Sequence, residues 1–131
     1  RFKSVNDRFG HAAGDAVLMD VAGRLSRNLR AGDLLARIGG EEFLIALPDT
    51  SLADARGIAE RLCLAVEEAP VTLGDAQALR VTVSIGLAIS SDATTASMKD
   101  TIAETVNRAD RALLHAKSAG RNQVTISRSA A

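Results

Sequence analysis

In this 131-residue chain, Gly39-Gly40-Glu41-Glu42 is the stretch whose residue types could most directly do chemistry. Two glycines permit backbone angles and close approaches that side chains forbid. Two adjacent carboxylates repel each other, so a turn that aims them at one point calls for a cation there. Mg²⁺ takes hard oxygen ligands and is usually shared with the phosphates of a substrate. One description of the segment is therefore a metal–phosphate site with backbone amides close by. Taken alone, the commoner description is a solvated acidic turn, because short motifs recur by chance. Lys117 and Arg121 are open to two descriptions as well. They suit an anion, and they equally suit the negative end of a helix dipole. Arg30-Ala31-Gly32-Asp33 pairs a guanidinium fork with a carboxylate, or simply closes a helix and makes a turn.

The elements that must carry these residues follow from hydrophobic spacing. Leu18, Val21, Ala22, Leu25 and Leu29 fall on one face, predicting a helix over Asp15 to Arg30 with Asp15 as N-cap and Gly32 as stop. Leu34 to Ile38 and Phe43 to Leu47 are short apolar runs joined by the glycine–glutamate tip, which predicts a β-hairpin ended by Pro48. A second helix is expected over Ser51 to Glu68, opened by a capping box of Ser51 with Asp54, with Ile58, Ala59, Leu62 and Val66 inward. Val71 to Leu73 suggests a short strand turned at Gly74-Asp75. Leu79 to Ile89 alternates strictly, which predicts a long half-buried strand. Ser91 to Ser97 reads as a loop. A third helix around Lys99 to Ser118 follows, with Ile102, Val106, Ala109, Leu113 and Ala116 inward, Gly120 as stop, and a last strand at Val124 to Ile126. The order is α+β, with helices covering one face of a mostly antiparallel sheet.

Composition limits the functions on offer. Sixteen Lys and Arg balance sixteen Asp and Glu, so no global field draws the chain to nucleic acid or an anionic membrane. An apolar share of 47% with only 2% aromatics gives a core of Leu, Ile, Val and Ala. The lone cysteine, Cys63, is expected as a buried reduced thiol, which agrees with a reducing cytoplasm. The sequence carries neither a long apolar run nor a signal-peptide pattern.

One ordered series joins these pieces. Phe2-Lys3-Ser4-Val5-Asn6-Asp7, Gly10-His11, Gly14-Asp15, Arg37-Ile38-Gly39-Gly40-Glu41-Glu42-Phe43, Val83-Ser84-Ile85-Gly86 and Ala109-Asp110-Arg111-Ala112-Leu113 through Lys117-Ser118-Ala119-Gly120-Arg121-Asn122 occur in register. In this series the chain resembles the GGDEF family of diguanylate cyclases, in its GGEEF variant. The resemblance implies a ferredoxin-like fold similar to the catalytic domain of adenylyl cyclases. It also implies an activity, the condensation of two GTP into cyclic di-GMP.

By that resemblance, Glu41 would hold Mg²⁺ (or Mn²⁺) and serve as a candidate base for the attacking 3′-hydroxyl, with Glu42 a second acidic contributor. Gly39 and Gly40 would lie against the nucleotide. Asn6 and Asp15 would read the guanine edge, and His11 would help position the nucleotide or only shape the turn. Lys3 would steady the transition state, while Lys117 and Arg121 would bind the terminal phosphates. Arg30 and Asp33 match the family's RxxD inhibitory site for cyclic di-GMP, with Arg37 and Arg61 as secondary partners. The family also implies a homodimer, since nucleophile and phosphate come from different GTP molecules. It places a strand and a metal-binding Asp before Phe2. The expectation is therefore a domain over residues 1–131 truncated at its N-terminal side, poorly active alone, from a bacterial cytoplasmic parent carrying a sensory or receiver domain, with a membrane anchor in its N-terminal part as the alternative. The alternative function is a non-catalytic module binding cyclic di-GMP or GTP.

Overall fold

The computed structural model of the chain describes residues 8, 10–73, 78–90 and 102–127. Its elements run α1 (His11–Arg27), β1 (Leu34–Gly39), β2 (Glu42–Ala46), α2 (Leu52–Glu67), β3 (Val71–Thr72), β4 (Ala78–Leu79), β5 (Ile85–Leu87), α3 (Ile102–Ser118) and β6 (Val124–Ile126). The α+β expectation holds. Among the described residues, β1–β2 and β3–β4 pair antiparallel and β5–β6 pair parallel. Two compact units result. The first takes Arg1–Asp49 and Leu64–Val81, the second Thr50–Cys63 and Thr82–Ala131.

In the first unit, α1 buries Val17, Leu18, Val21 and Leu25, the stripe its 3.6-residue period predicts. The helix begins earlier than Asp15, however. Gly10 is its N-cap, with φ 91° and no side-chain cap, and the Gly14 amide donates to the Gly10 carbonyl at 3.2 Å. Ala12 and Ala13 favour helix strongly enough to extend it back to that glycine. It also ends earlier, at Arg27. Asn28 is the C-cap and its side-chain amide donates to the Arg24 carbonyl at 2.8 Å, while Gly32 lies in the turn beyond.

Arg24 is a buried cation, 9% exposed, that the helical pattern does not announce. Its Nε donates to Asp20 at 2.6 Å, and its two Nη atoms donate to the carbonyls of Val66 at 2.8 Å, Ala69 at 2.5 Å and Pro70 at 3.1 Å. The last carbonyls of a helix lack internal partners, so this guanidinium closes the end of α2 and ties α1 to it.

In the second unit, α2 starts as expected, with the Asp54 amide donating to the Ser51 hydroxyl at 3.2 Å. Ile58, Ala59, Leu62 and Cys63 are buried. Among the described residues, the long strand expected over Leu79 to Ile89 is instead two short pieces, β4 and β5, and residues 80–84 carry no strand pairing. Alternation specifies a face, but a strand also needs a ladder partner along its whole length. In α3, Ala116 is buried as expected and Ala112, which the spacing did not place inward, is buried with it, whereas Ile102 is 84% exposed. It sits on the first turn, ahead of the part of the helix that meets β5 and β6. The turn at Gly74-Asp75, the loop at Ser91 to Ser97 and the start of the third helix at Lys99 lie outside the described residues.

Parallel strands β5 and β6 need a crossover, and α3 supplies it. Gly86 lets the helix lie directly on the strand. A Cβ there would run into the Ala109 carbonyl oxygen and the Leu113 amide nitrogen, backbone atoms that cannot turn aside. Gly86→Ala is expected to cost about 3 kcal/mol or more of stability in a urea melt, above the usual cost of overpacking. Gly57→Ala, which meets open space, is expected to stabilise the same chain slightly.

Candidate functional site

The hairpin β1–β2 positions the acidic tip. Its ladder pairs Leu34 with Ala46 through Arg37 with Phe43, shifts register, and closes on Gly39 with Glu42. Only Gly40 and Glu41 are left at the turn, so the loop is tighter than four residues. Arg37 reaches across it, and its Nε donates to the Gly40 carbonyl at 2.8 Å. The carboxylates of Glu41 and Glu42 are exposed and take no hydrogen-bonding or charged partner among the described residues. Neither Gly39 nor Gly40 has a positive φ, and a Cβ on either would meet nothing within 4 Å. The turn itself therefore does not require these glycines, and the space above them is open.

On α1, His11 and Asp15 are four residues apart on one exposed face. Asp15 is an interior helical residue, which frees its carboxylate from capping. Lys3 and Asn6 lie outside the described residues. Among the described residues no three His, Cys, Asp or Glu side chains converge closely enough to hold a metal by themselves. The tip does present hard oxygen donors in a pair, the number that Mg²⁺ usually takes from protein when phosphates and water complete its shell.

The turn after α1 closes on itself. Asp33 accepts from the Arg30 backbone amide at 2.8 Å, from its Nε at 3.2 Å and from its Nη2 at 3.1 Å. The Asp33 side chain is 2% exposed, while that of Arg30 is 47% exposed. The hydrogen bonds from Arg30 hold the Asp33 carboxyl below its ordinary pKa.

The remaining sequence-predicted cations belong to the second unit. Arg61 is exposed on α2. Lys117 is half-buried in the last turn of α3, and Arg121 is half-buried just beyond it with φ 66°. Neither the Lys117 ammonium nor the Arg121 guanidinium takes a partner among the described residues. Spacing alone did not reveal that Arg37 braces the tip or that Ser84 accepts from the Asn122 amide at 3.2 Å. The register shift behind the first and the left-handed turn behind the second are backbone events without a residue signature.

The chain matches the family described as "Diguanylate cyclase, GGDEF domain" over residues 1–123. It belongs to the GGDEF family. It is 47% identical over 124 residues to the response regulator PleD of Caulobacter vibrioides, a match covering 94% of this chain and 26% of that protein. The chain thus spans about a quarter of the length of that curated relative. Its fold is similar to the GGDEF domain of PA1120 (YfiN or TpbB) from Pseudomonas aeruginosa, with TM-score 0.82 and 37% identity, covering 98% of this chain and 76% of that one. It is also similar to the active GGEEF domain of a diguanylate cyclase from Vibrio cholerae, with TM-score 0.81 and 31% identity, covering 99% of this chain and 78% of that one. Among the described residues no helix is long and apolar enough to cross a membrane.

The Arg30–Asp33 turn of this GGDEF chain carries a pH dependence with a definite sign. A carboxyl whose folded-state pKa is depressed adds stability that is present above its unfolded value and lost as pH falls through the folded one. Carboxyl ¹³C NMR of Asp33 is expected to titrate below the ordinary aspartate range. In Arg30→Ala it is expected to move back up towards that range.

Proposed function

We propose that this chain is a catalytic domain over residues 1–131 that condenses two GTP molecules into cyclic di-GMP and releases two pyrophosphates. The observation that carries the reading is the tip itself. Two unpartnered carboxylates stand beside two glycines that the turn does not need. A nucleotide lying against Gly39 and Gly40 gives those glycines a reason, since a Cβ would occupy the space it takes.

In this reading Glu41, with Glu42 beside it, holds a divalent cation, Mg²⁺ or Mn²⁺, that neutralises charge developing on the phosphates. Glu41 also accepts the proton of the 3′-hydroxyl. Each 3′-oxygen forms a bond to the α-phosphorus of the other GTP, and the bond to pyrophosphate breaks. Asp15 accepts from the guanine ring N–H and exocyclic amine, with Asn6 as its complement and His11 on the same helix face. Lys117 and Arg121 hold the terminal phosphates, and Lys3 steadies the transition state. Two chains face each other as a homodimer, because one site holds one GTP. Arg30 and Asp33 bind the product and slow the enzyme, with Arg37 and Arg61 as further contacts. A chain that spans a quarter of a response regulator fits within a longer bacterial cytoplasmic protein with a regulatory domain before it.

Incubation with GTP and Mg²⁺, read by chromatography, is expected to yield cyclic di-GMP. Glu41→Gln is expected to cut the yield about a hundredfold or more. Binding of cyclic di-GMP with no turnover in the wild-type chain would favour a non-catalytic receptor instead. With Arg30→Ala, added cyclic di-GMP is expected no longer to slow turnover.

A further inference from the structure

The segment that closes α3 has an unusual backbone. Gly120, Arg121 and Asn122 have φ of 124°, 66° and 49°, three left-handed residues in a row. Glycine takes such angles freely and Asn tolerates them, but a residue with a long side chain adopts them only when its surroundings hold it there. Helices commonly end on one left-handed residue, and Gly120 already supplies it. Arg121 is therefore in a conformation that a second glycine would meet with less strain.

Several hydrogen bonds hold it. The Arg121 amide donates to the Ala116 carbonyl at 2.9 Å, which wraps the turn back on the helix. The Asn122 amide donates to the Ser84 hydroxyl at 3.2 Å. The Gln123 side chain donates to the carbonyls of Ala119 at 3.2 Å and Arg121 at 3.1 Å, spanning the turn from inside. The Ile85 amide donates to the Gln123 carbonyl at 3.0 Å, where β5 and β6 begin. All of these residues lie in the second unit. The guanidinium that this framework carries is half-buried and takes no partner among the described residues, as does the ammonium of Lys117 one turn before it. The backbone of Arg121 is thus tightly held and its charge is left open.

We propose that Ser84 and Gln123, acting through the left-handed backbone of Arg121 and Asn122, are positioning residues that present the Arg121 guanidinium to the terminal phosphates of the nucleotide. The inference rests on the GTP reading above and adds residues to it. Ser84 does not touch the nucleotide. It fixes the turn from the strand side, so that the guanidinium is placed before the ligand arrives and less side-chain and backbone freedom is lost on binding.

The test is calorimetric binding of GTP and of GMP to the 131-residue chain in Mg²⁺, with thermal melts beside each variant. GMP lacks the terminal phosphates and so reports the rest of the site. Arg121→Ala, Ser84→Ala and Asn122→Val are each expected to weaken GTP binding about tenfold while leaving GMP unchanged. Ser84→Thr, which keeps the hydroxyl, and Asn122→Gly, which keeps the left-handed angle, are expected to stay within about twofold of wild type. If Arg121→Ala loses GTP affinity but Ser84→Ala and Asn122→Val do not, the positioning role is overturned and the nucleotide reading stands. Equal loss of GTP and GMP in the Ser84 and Asn122 variants also overturns it, because that is general damage. A wild-type chain that binds no GTP overturns the functional reading and this inference together.

Discussion

The contact on which the second unit depends is the one between Gly86 and the backbone of α3 at Ala109 and Leu113. Strands β5 and β6 are three residues each, too short to bury much apolar surface by themselves. Their parallel pairing obliges the chain to cross over through α3, and the helix covers them only by lying almost against the strand. A glycine in β5 is what permits that distance. Once α3 is set, its C-terminal turn is set too, and with it Lys117 and Arg121. A packing constraint in one short strand thereby governs where two phosphate-binding candidates stand.

The first unit is held by polar means as well as by its apolar stripe. Arg24 fills the gap at the end of α2 with a guanidinium that satisfies three carbonyls and Asp20. A buried charge is costly unless it is fully paired, and here it is. Six other charged groups of this unit divide into two sets. Arg30, Asp33 and Arg37 are engaged with neighbours, whereas Asp15, Glu41 and Glu42 are exposed and unengaged among the described residues. The engaged set shapes turns. The unengaged set is exposed, and carboxylates on rigid elements are inexpensive to keep that way.

The Arg30–Asp33 pair is one of the engaged contacts. Asp33 is nearly fully covered while Arg30 remains half open, so the pair is organised from the carboxylate side. A planar guanidinium has five donors, and two of them hold the Asp33 carboxylate.

Much was legible in the sequence by itself. Helical periodicity found the stripes of α1 and α2, the capping pattern found Ser51, and the glycine–glutamate tip between two apolar runs found the hairpin. These features are local, and local spacing encodes them. The ordered motifs also determined the family, since membership depends on residue order and not on coordinates. The tertiary structure alone decided the rest. Alternation over Leu79 to Ile89 named a face but could not name a ladder partner, and among the described residues only β4 and β5 within it are paired. Asp15 looked like a cap until Gly10 took that place. The burial of Arg24, the reach of Arg37 to Gly40 and the hold of Ser84 on Asn122 each join atoms whose meeting depends on where the backbone goes. Periodicity records which side of an element is apolar. It does not record which carbonyl will stand opposite a given side chain, and that is what the packed chain supplies.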